Sequence, residues 1–174
     1  MSHFAVALAR TDDEWLAREM SLTGIEDLDS LVEELRDVVA DTGASTVVLF
    51  VEEDDEYLAI VRLDGEAEPR VFLSDVRAVD SSSIAAMLYE EAAAESLEEH
   101  VHEDEADEED EEDTEDGSLR AEADPTGDNE LLADLGTPGK VLLDLCAEEG
   151  MLPADVITAV CESMGCADLV EALR

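Results

Sequence analysis

Basic residues are scarce in this sequence. Lysine and arginine together number 9 against 50 aspartates and glutamates, which gives a formal net charge of −41 at pH 7. A nucleic-acid-binding surface needs clustered Lys and Arg to displace the counterions condensed on phosphate. Lys140 is the only lysine, and the eight arginines are scattered. The composition therefore argues against direct nucleic-acid binding and favours a protein partner with a basic surface.

Long apolar runs and cysteines are also few. No apolar run approaches the ~20 residues that cross a bilayer, and the chain start lacks the charged segment and the length of a signal peptide. We therefore expect a soluble, cytoplasmic protein without a membrane partner. The three cysteines, Cys146, Cys161 and Cys166, are odd in number and lie late in the chain, so they form no disulfide framework. We expect them to be small buried core residues.

The acidic residues are unevenly distributed. The segment Glu98–Asp116 holds 14 of them in 19 residues and contains no aromatic residue. It cannot bury enough apolar surface to offset the entropy lost on ordering. We therefore predict a disordered acidic linker over 97–129. The other acidic residues still outnumber the basic ones, so an acidic surface is also predicted for the folded parts.

Short runs rich in β-branched and aromatic residues, broken by turn residues, predict an antiparallel sheet of about five strands. The predicted strands are 4–9, 15–20, 46–51, 57–63 and 70–75. The 15–20 run also fits a short helix. Apolar residues at helical spacing predict one helix over 28–40 and a second over 82–96. The predicted fold class is α+β, with a sheet domain over 1–96.

The C-terminal part, 130–174, is predicted to be a small helical bundle. One helix is expected to begin after Thr137 and Pro138, with Thr137 as its N-cap, and another at Pro153. A bundle of about 45 residues is marginally stable alone. We therefore expect it to dock on the sheet domain or on a partner.

The predicted strands are apolar on both faces. A half-exposed antiparallel strand alternates apolar and polar residues, but residues 47–51 and 57–61 are apolar throughout. The two predicted helices can cover one face. The C-terminal helices, a second copy of the chain or a different protein must cover the other. Trp15 fits either a core anchor or an exposed contact. The candidate partner contacts are Trp15, Phe50, Tyr57 and Phe72.

No catalytic, cofactor or metal site is predicted. The sequence has no Gly-x-Ser-x-Gly nucleophile motif and no glycine-rich phosphate loop. His100 and His102 lie among carboxylates, but a disordered tract fixes no metal geometry. The acidic run 52–56 lacks the alternation and central glycine of an EF-hand loop, so a solvated hairpin turn is predicted. We therefore expect a protein that is not an enzyme.

Several segments are distinctive in combination. They are Phe4–Leu8, Leu49–Tyr57, Ala59–Arg62, Pro69–Asp75, Leu131–Gly139 and Leu145–Gly150. Together they resemble the actinobacterial family of tRNA adenosine deaminase-associated proteins. The resemblance implies association with the deaminase, not the same reaction. Zinc deaminases carry His-x-Glu and a later Pro-Cys-x-x-Cys, and neither motif occurs in this sequence.

Three functions follow as hypotheses. The leading one is a non-enzymatic acidic accessory protein that binds another protein. The tRNA adenosine deaminase is the candidate partner, because its tRNA-binding surface must be basic and an acidic chain can occupy it as a nucleic-acid mimic. The alternatives are an acidic scaffold that self-associates through the sheet face, and an α+β module that senses a small ligand or a metal.

Overall fold

A computed structural model describes residues 3–99 and 124–174. The predicted α+β class is confirmed. The strands are β1 (His3–Arg10), β2 (Trp15–Glu19), β3 (Thr46–Glu53), β4 (Tyr57–Asp64), β5 (Arg70–Leu73) and β6 (Thr126–Gly127). The helices are α1 (Leu28–Thr42), α2 (Ser83–Glu99), α3 (Gly139–Ala147), α4 (Pro153–Met164) and α5 (Ala167–Glu171), with short 3-10 turns at Val76–Asp80 and Ala133–Leu135. Residues 100–123, which hold most of the segment predicted to be disordered, lie outside the described residues.

The strands form one antiparallel sheet in the order β2-β1-β3-β4-β5-β6. Its register aligns Val6 with Phe50, Phe50 with Ile60, and Ile60 with Phe72. Because neighbouring positions on paired strands point to the same face, these four side chains form a row across the sheet. This row lies on one of the two faces of the sheet, both of which are apolar.

Within residues 3–99 and 124–174 the sheet has six strands, so the predicted count of about five is corrected. β6 is only two residues long, too short to produce any apolar alternation, and it lies inside the stretch predicted as linker, 97–129. Gly127 has a φ of 93°, and a Cβ atom there would lie 2.2 Å from the carbonyl oxygen of Val71 and 3.0 Å from the Cβ of Ala92. Only glycine therefore fits between β5 and α2 at this point.

The 15–20 run is strand β2, so its alternative reading as a helix is wrong.

One face of the sheet packs against α1 and α2. β1 contributes three alanines to this core, and β3 contributes Val47, Leu49 and Val51. α1 presents Leu31 and Leu35 to the same core. The helix begins where the Asp27 side chain accepts a hydrogen bond from the Ser30 N–H at 2.7 Å, a standard N-cap contact. The predicted cover for this face is confirmed.

The C-terminal helices cover the other face. Val48, Phe50, Ile60 and Phe72 pack there against Leu142 of α3 and Ile157 and Val160 of α4. Of the three covers that the sequence left open, the chain's own C-terminal segment is the one observed. Burying each such side chain contributes roughly 1.5–3 kcal/mol. The division into domains at 1–96 and 130–174 stays a prediction.

The start of α3 differs from the prediction. Pro138 holds the N-cap position, and Thr137 makes no capping hydrogen bond. Instead, the Glu130 carboxylate accepts from the Gly139 N–H at 3.1 Å. The hydroxyl of Thr137 is buried with no hydrogen-bond partner among the described residues. A carboxylate nine residues upstream therefore supplies the negative charge that a helix N-terminus favours.

Candidate partner-binding surface

Arg62 fastens the C-terminal segment to the sheet. It lies on β4 and is only 6% exposed. Its guanidinium donates to the Leu131 carbonyl at 2.6 Å and to both carboxylate oxygens of Asp134, one of them at 2.9 Å. It also donates to Asp64 at 2.9 Å. The hydrogen bond raises the pKa of Arg62 and lowers the pKa of Asp134. The positive charge of Arg62 is therefore paired within the folded chain.

Two further arginines join the same two parts of the chain. Arg70 on β5 pairs with Asp128, which lies next to β6. Arg174 donates to Glu52 at 2.7 Å, and its guanidinium lies 4.6 Å from the centre of the Phe4 ring. An arginine above an aromatic face adds a cation–π attraction. Three of the eight arginines thus link the sheet strands of the first described part of the chain to its second part, 124–174.

The predicted partner contacts do not form one surface. Phe50 and Phe72 lie beneath the C-terminal helices, with 0% and 1% exposure. Tyr57 lies on the opposite face, in the core below α1 and α2. Trp15 is half-buried at the sheet edge, where the Arg10 guanidinium lies 5.7 Å from its ring. In this conformation other residues of the chain cover the rings of Phe50, Tyr57 and Phe72. Their contact with a partner stays a prediction.

Glu53 is a buried carboxylate that the sequence did not reveal. It ends β3 and is 8% exposed. The Tyr57 hydroxyl donates to it at 2.8 Å, and the Ser82 hydroxyl donates to the same oxygen. Ser82 also accepts from the Ala85 N–H at the start of α2. Burial raises the pKa of the Tyr57 phenol, which keeps it a neutral donor. The cluster fastens α2 to the β3–β4 hairpin.

The prediction of a solvated turn over 52–56 is therefore wrong in part. Asp54, Asp55 and Glu56 are exposed, as expected of a turn. Glu53 is buried, and Glu52 is half-buried against Arg174. A run of five acids gives no sign of where the strand ends, so its first two members were assigned to solvent.

The three cysteines are free thiols with little exposure to solvent. Cys161 and Cys166 are buried, and Cys146 is half-buried. Burial raises the pKa of the Cys146 thiol to about 12. The pKa of Cys161 is also raised, mainly by its hydrogen bond with Cys166, whose own pKa is lowered by that bond. All three thiols lie in or beside the core formed with the C-terminal helices, which matches the predicted core role.

Two kinds of site are absent from the part of the chain that the structure describes. Within residues 3–99 and 124–174, no group of three or more metal-ligating side chains lies together. His100 and His102 fall outside those ranges. The described helices include none long and apolar enough to cross a membrane.

Two adjoining cavities of about 470 and 560 Å³ lie on the outer side of α1 and α2. The smaller one also borders the β4–β5 loop at Glu68 and Pro69. We call the two cavities together the α1–α2 groove. Its floor is apolar and consists of Leu28, Val32, Ala86 and Met87. Its walls are acidic and consist of Glu26, Asp27, Asp29, Glu33, Glu68, Glu90 and Glu91.

The groove carries far more negative than positive charge. Among the described residues, Arg36 is the one basic side chain that lines it. Asp27 is engaged as the α1 N-cap, and its hydrogen bonds with Ser30 lower its pKa. Across the described residues, the other acidic walls form no hydrogen bond or ion pair. Their negative charge is therefore available to a ligand.

The sequence comparisons give the family. A profile of the Rv3753c-like tRNA adenosine deaminase-associated protein family matches residues 3–167. The chain belongs to this family. Protein Rv3753c of Mycobacterium tuberculosis (strain ATCC 25618 / H37Rv) is 30% identical over 172 residues, which covers 98% of this chain and 86% of the relative. No solved structure matches the chain. The family resemblance seen in the sequence is confirmed.

The family description calls members deaminase-associated and does not call them deaminases. The segments that carried the resemblance lie on the sheet and at its junction with the C-terminal helices, as Ile60 and Leu131 illustrate. These segments include residues that close the second face of the sheet. The acidic groove lies on the opposite side.

Proposed function

We propose that this protein is a non-enzymatic accessory protein that binds the tRNA adenosine deaminase through its acidic surface. Its family is described as deaminase-associated. The observation that carries the proposal is the strongly acidic surface beside α1 and α2, in a chain of formal net charge −41. Both sheet faces are already covered, so the surface offered outward is a charged one.

The chemistry of the partner explains why charge is the means of recognition. An enzyme that binds tRNA presents Lys and Arg to the phosphates. A chain with a strong negative field is attracted to such a surface, and complementary charge raises the association rate at low salt. The complex is therefore expected to weaken steeply as salt is added.

The role proposed is binding without catalysis. Two buried polar groups have structural partners: Glu53 is held by two hydroxyls, and Arg62 by two carboxylates. The raised pKa of Cys146 argues against a thiol nucleophile there. Self-association through an open sheet face has no support, because the C-terminal helices occupy that face.

Titration of the purified chain with the purified deaminase from the same organism tests the proposal. Calorimetry at about 50 and about 300 mM NaCl is expected to show a stoichiometric complex that weakens at least tenfold at the higher salt. A variant with residues 98–116 replaced by a neutral Gly-Ser linker of equal length separates the tract from the folded surface. If neither form binds at low salt, the proposed function is wrong.

A further inference from the structure

The α1–α2 groove differs from an ordinary solvated acidic face. Leu28 and Met87 are only half-buried and form part of its floor. A concave strip with an apolar floor leaves water poorly satisfied, which favours a ligand that brings apolar groups. Another cavity, near Cys146 and Met151, is only about 100 Å³. Size and floor therefore single out the groove between the helices.

The walls determine the charge of what can enter. Glu33 on α1 and Glu91 on α2 both line one cavity, and Asp29 lines both cavities. Acidic groups that share a groove repel one another, and a cationic ligand relieves that repulsion. Phosphate-bearing nucleic acid and anionic lipid are repelled by the same walls. The ligand chemistry that fits is a peptide with basic side chains beside apolar ones.

We propose that the α1–α2 groove is the docking site for a basic, apolar-containing peptide segment of the protein partner. This inference rests on the proposed function and adds the place and the kind of segment. The apolar side chains of the segment lie over Leu28 and Met87. Its Lys or Arg side chains meet the carboxylates of Glu33, Glu90 and Glu91.

Two variants of the full chain test the site. The groove variant carries Glu33→Gln, Glu90→Gln and Glu91→Gln. The matched control carries Glu148→Gln, Glu149→Gln and Glu162→Gln, which remove the same charge from exposed positions on the C-terminal segment. The probe is a short synthetic peptide in which leucine and lysine recur at helical spacing. A second peptide has serine in place of leucine.

Nuclear magnetic resonance titration of the full chain gives the first readout. The leucine–lysine peptide is expected to shift the amide signals of Leu28, Val32 and Met87. The groove variant is expected to bind it about tenfold more weakly, and the control variant within about twofold of the unmodified chain. Equal weakening in both variants, or equal affinity for the serine peptide, would overturn the inference, because binding would then depend on net charge alone.

The deaminase titration gives the second readout. Loss of affinity in the groove variant, with none in the control, supports the inference. If the groove variant keeps full affinity for the deaminase, the groove is not the docking site, although the proposed function stands. If the unmodified chain does not bind the deaminase, the proposed function fails, and the peptide titration alone decides the groove.

Discussion

Arg62 contacts three residues in two parts of the chain through one guanidinium group. It contacts Asp64 at the end of its own strand, and the Leu131 carbonyl and the Asp134 carboxylate of the C-terminal segment. Such a planar group with several donors suits a site with several acceptors. This single side chain therefore links β4 to the C-terminal segment at two residues.

Replacing Arg62 with glutamine is expected to lower the free energy of unfolding by roughly 1–3 kcal/mol. The loss arises because the Leu131 carbonyl and Asp134 lose their donor in a partly desolvated place. Urea unfolding followed by circular dichroism measures it. Arg18→Gln is the matched control, since the Arg18–Asp41 pair is 62% and 70% exposed and its removal is expected to cost less than about 0.5 kcal/mol.

The effect of Arg62→Gln is expected to depend on pH. The folded-state pKa of Asp134 lies below its ordinary value of 3.8, so its contribution is present above that pH and is lost as the pH falls through the folded value. The two proteins should therefore differ fully at about pH 6 and differ less at about pH 3. A difference that stays constant across this range would mean that the Asp134 contact contributes nothing.

The sequence could not predict these residue-level contacts. Arg62 and Asp134 are separated by 72 positions, and Arg174 and Glu52 by 122. Local patterns carry no information about such pairs. The burial of Glu53 could not be predicted for another reason. Its four neighbours in the run are also acidic, and only the strand register shows that its side chain points inward. The acidic groove was also missed, since its walls come from three separate elements.

At the scale of the elements, the β3–β4 turn stores some backbone strain. Asp54 and Asp55 have φ angles of 48° and 58°, in the left-handed region. This matches a type I′ turn, in which glycine at the second central position is strongly preferred. Asp55→Gly is expected to raise the free energy of unfolding by about 0.5–1 kcal/mol, measured by urea unfolding.

Glu56→Gly is the control for that change. It removes the same charge and introduces the same residue, but Glu56 is not among the described residues with positive φ. Glycine there adds freedom to the unfolded chain without relieving strain, so a loss of about 0.5–1 kcal/mol is expected. If both variants are stabilised alike, charge repulsion in the acidic run is responsible and the backbone argument fails.

Removing the C-terminal segment is expected to expose an apolar face. A chain ending at residue 129 loses α3, α4 and α5, which cover Phe50 and Phe72. Binding of the dye ANS should rise several-fold, and light scattering should show association, because large exposed apolar patches bind one another. A full chain that lacks only 98–116 should show neither change. A truncated chain that stays monomeric and dye-free would contradict the packing described.

The elements were predictable to different degrees. Strands β1 to β5 and helix α1 have strong periodicity, and their predicted bounds fall within two residues of the observed ones for most ends, as Leu28 shows for α1. β6 has no periodicity, because two residues cannot repeat. The apolar character of both sheet faces was predictable, but the identity of the second cover was not, since a pattern records burial and not the partner that causes it.

For the whole molecule, repulsion among the acidic side chains is the main electrostatic effect. A formal net charge of −41 on 174 residues favours an expanded chain over a compact one. Adding NaCl from about 20 to about 500 mM shortens the screening length well below about 10 Å and should weaken this repulsion. The melting temperature is therefore expected to rise by several degrees, measured by calorimetry.

Chloride salts are used for this measurement because sulfate strengthens apolar burial by a separate effect. Sodium and potassium chloride should act alike if screening is the cause. A melting temperature that falls with salt would show that the arginine bridges of the cover, at Arg62, Arg70 and Arg174, outweigh the general repulsion.

The two cores of the sheet together determine the register of β1. Ala5, Ala7 and Ala9 face α1 and α2, and the larger Val6 and Leu8 face the C-terminal helices. A shift of one residue would exchange these sets. Since both sides of the sheet are apolar, the exchange would expose no apolar side chain to water. The shift is opposed instead by the different volumes of the side chains. Val6 and Leu8 would crowd spaces shaped for alanine, at roughly 1–3 kcal/mol each, and voids would open beneath the C-terminal helices. The strand is thus aligned by the size of its side chains.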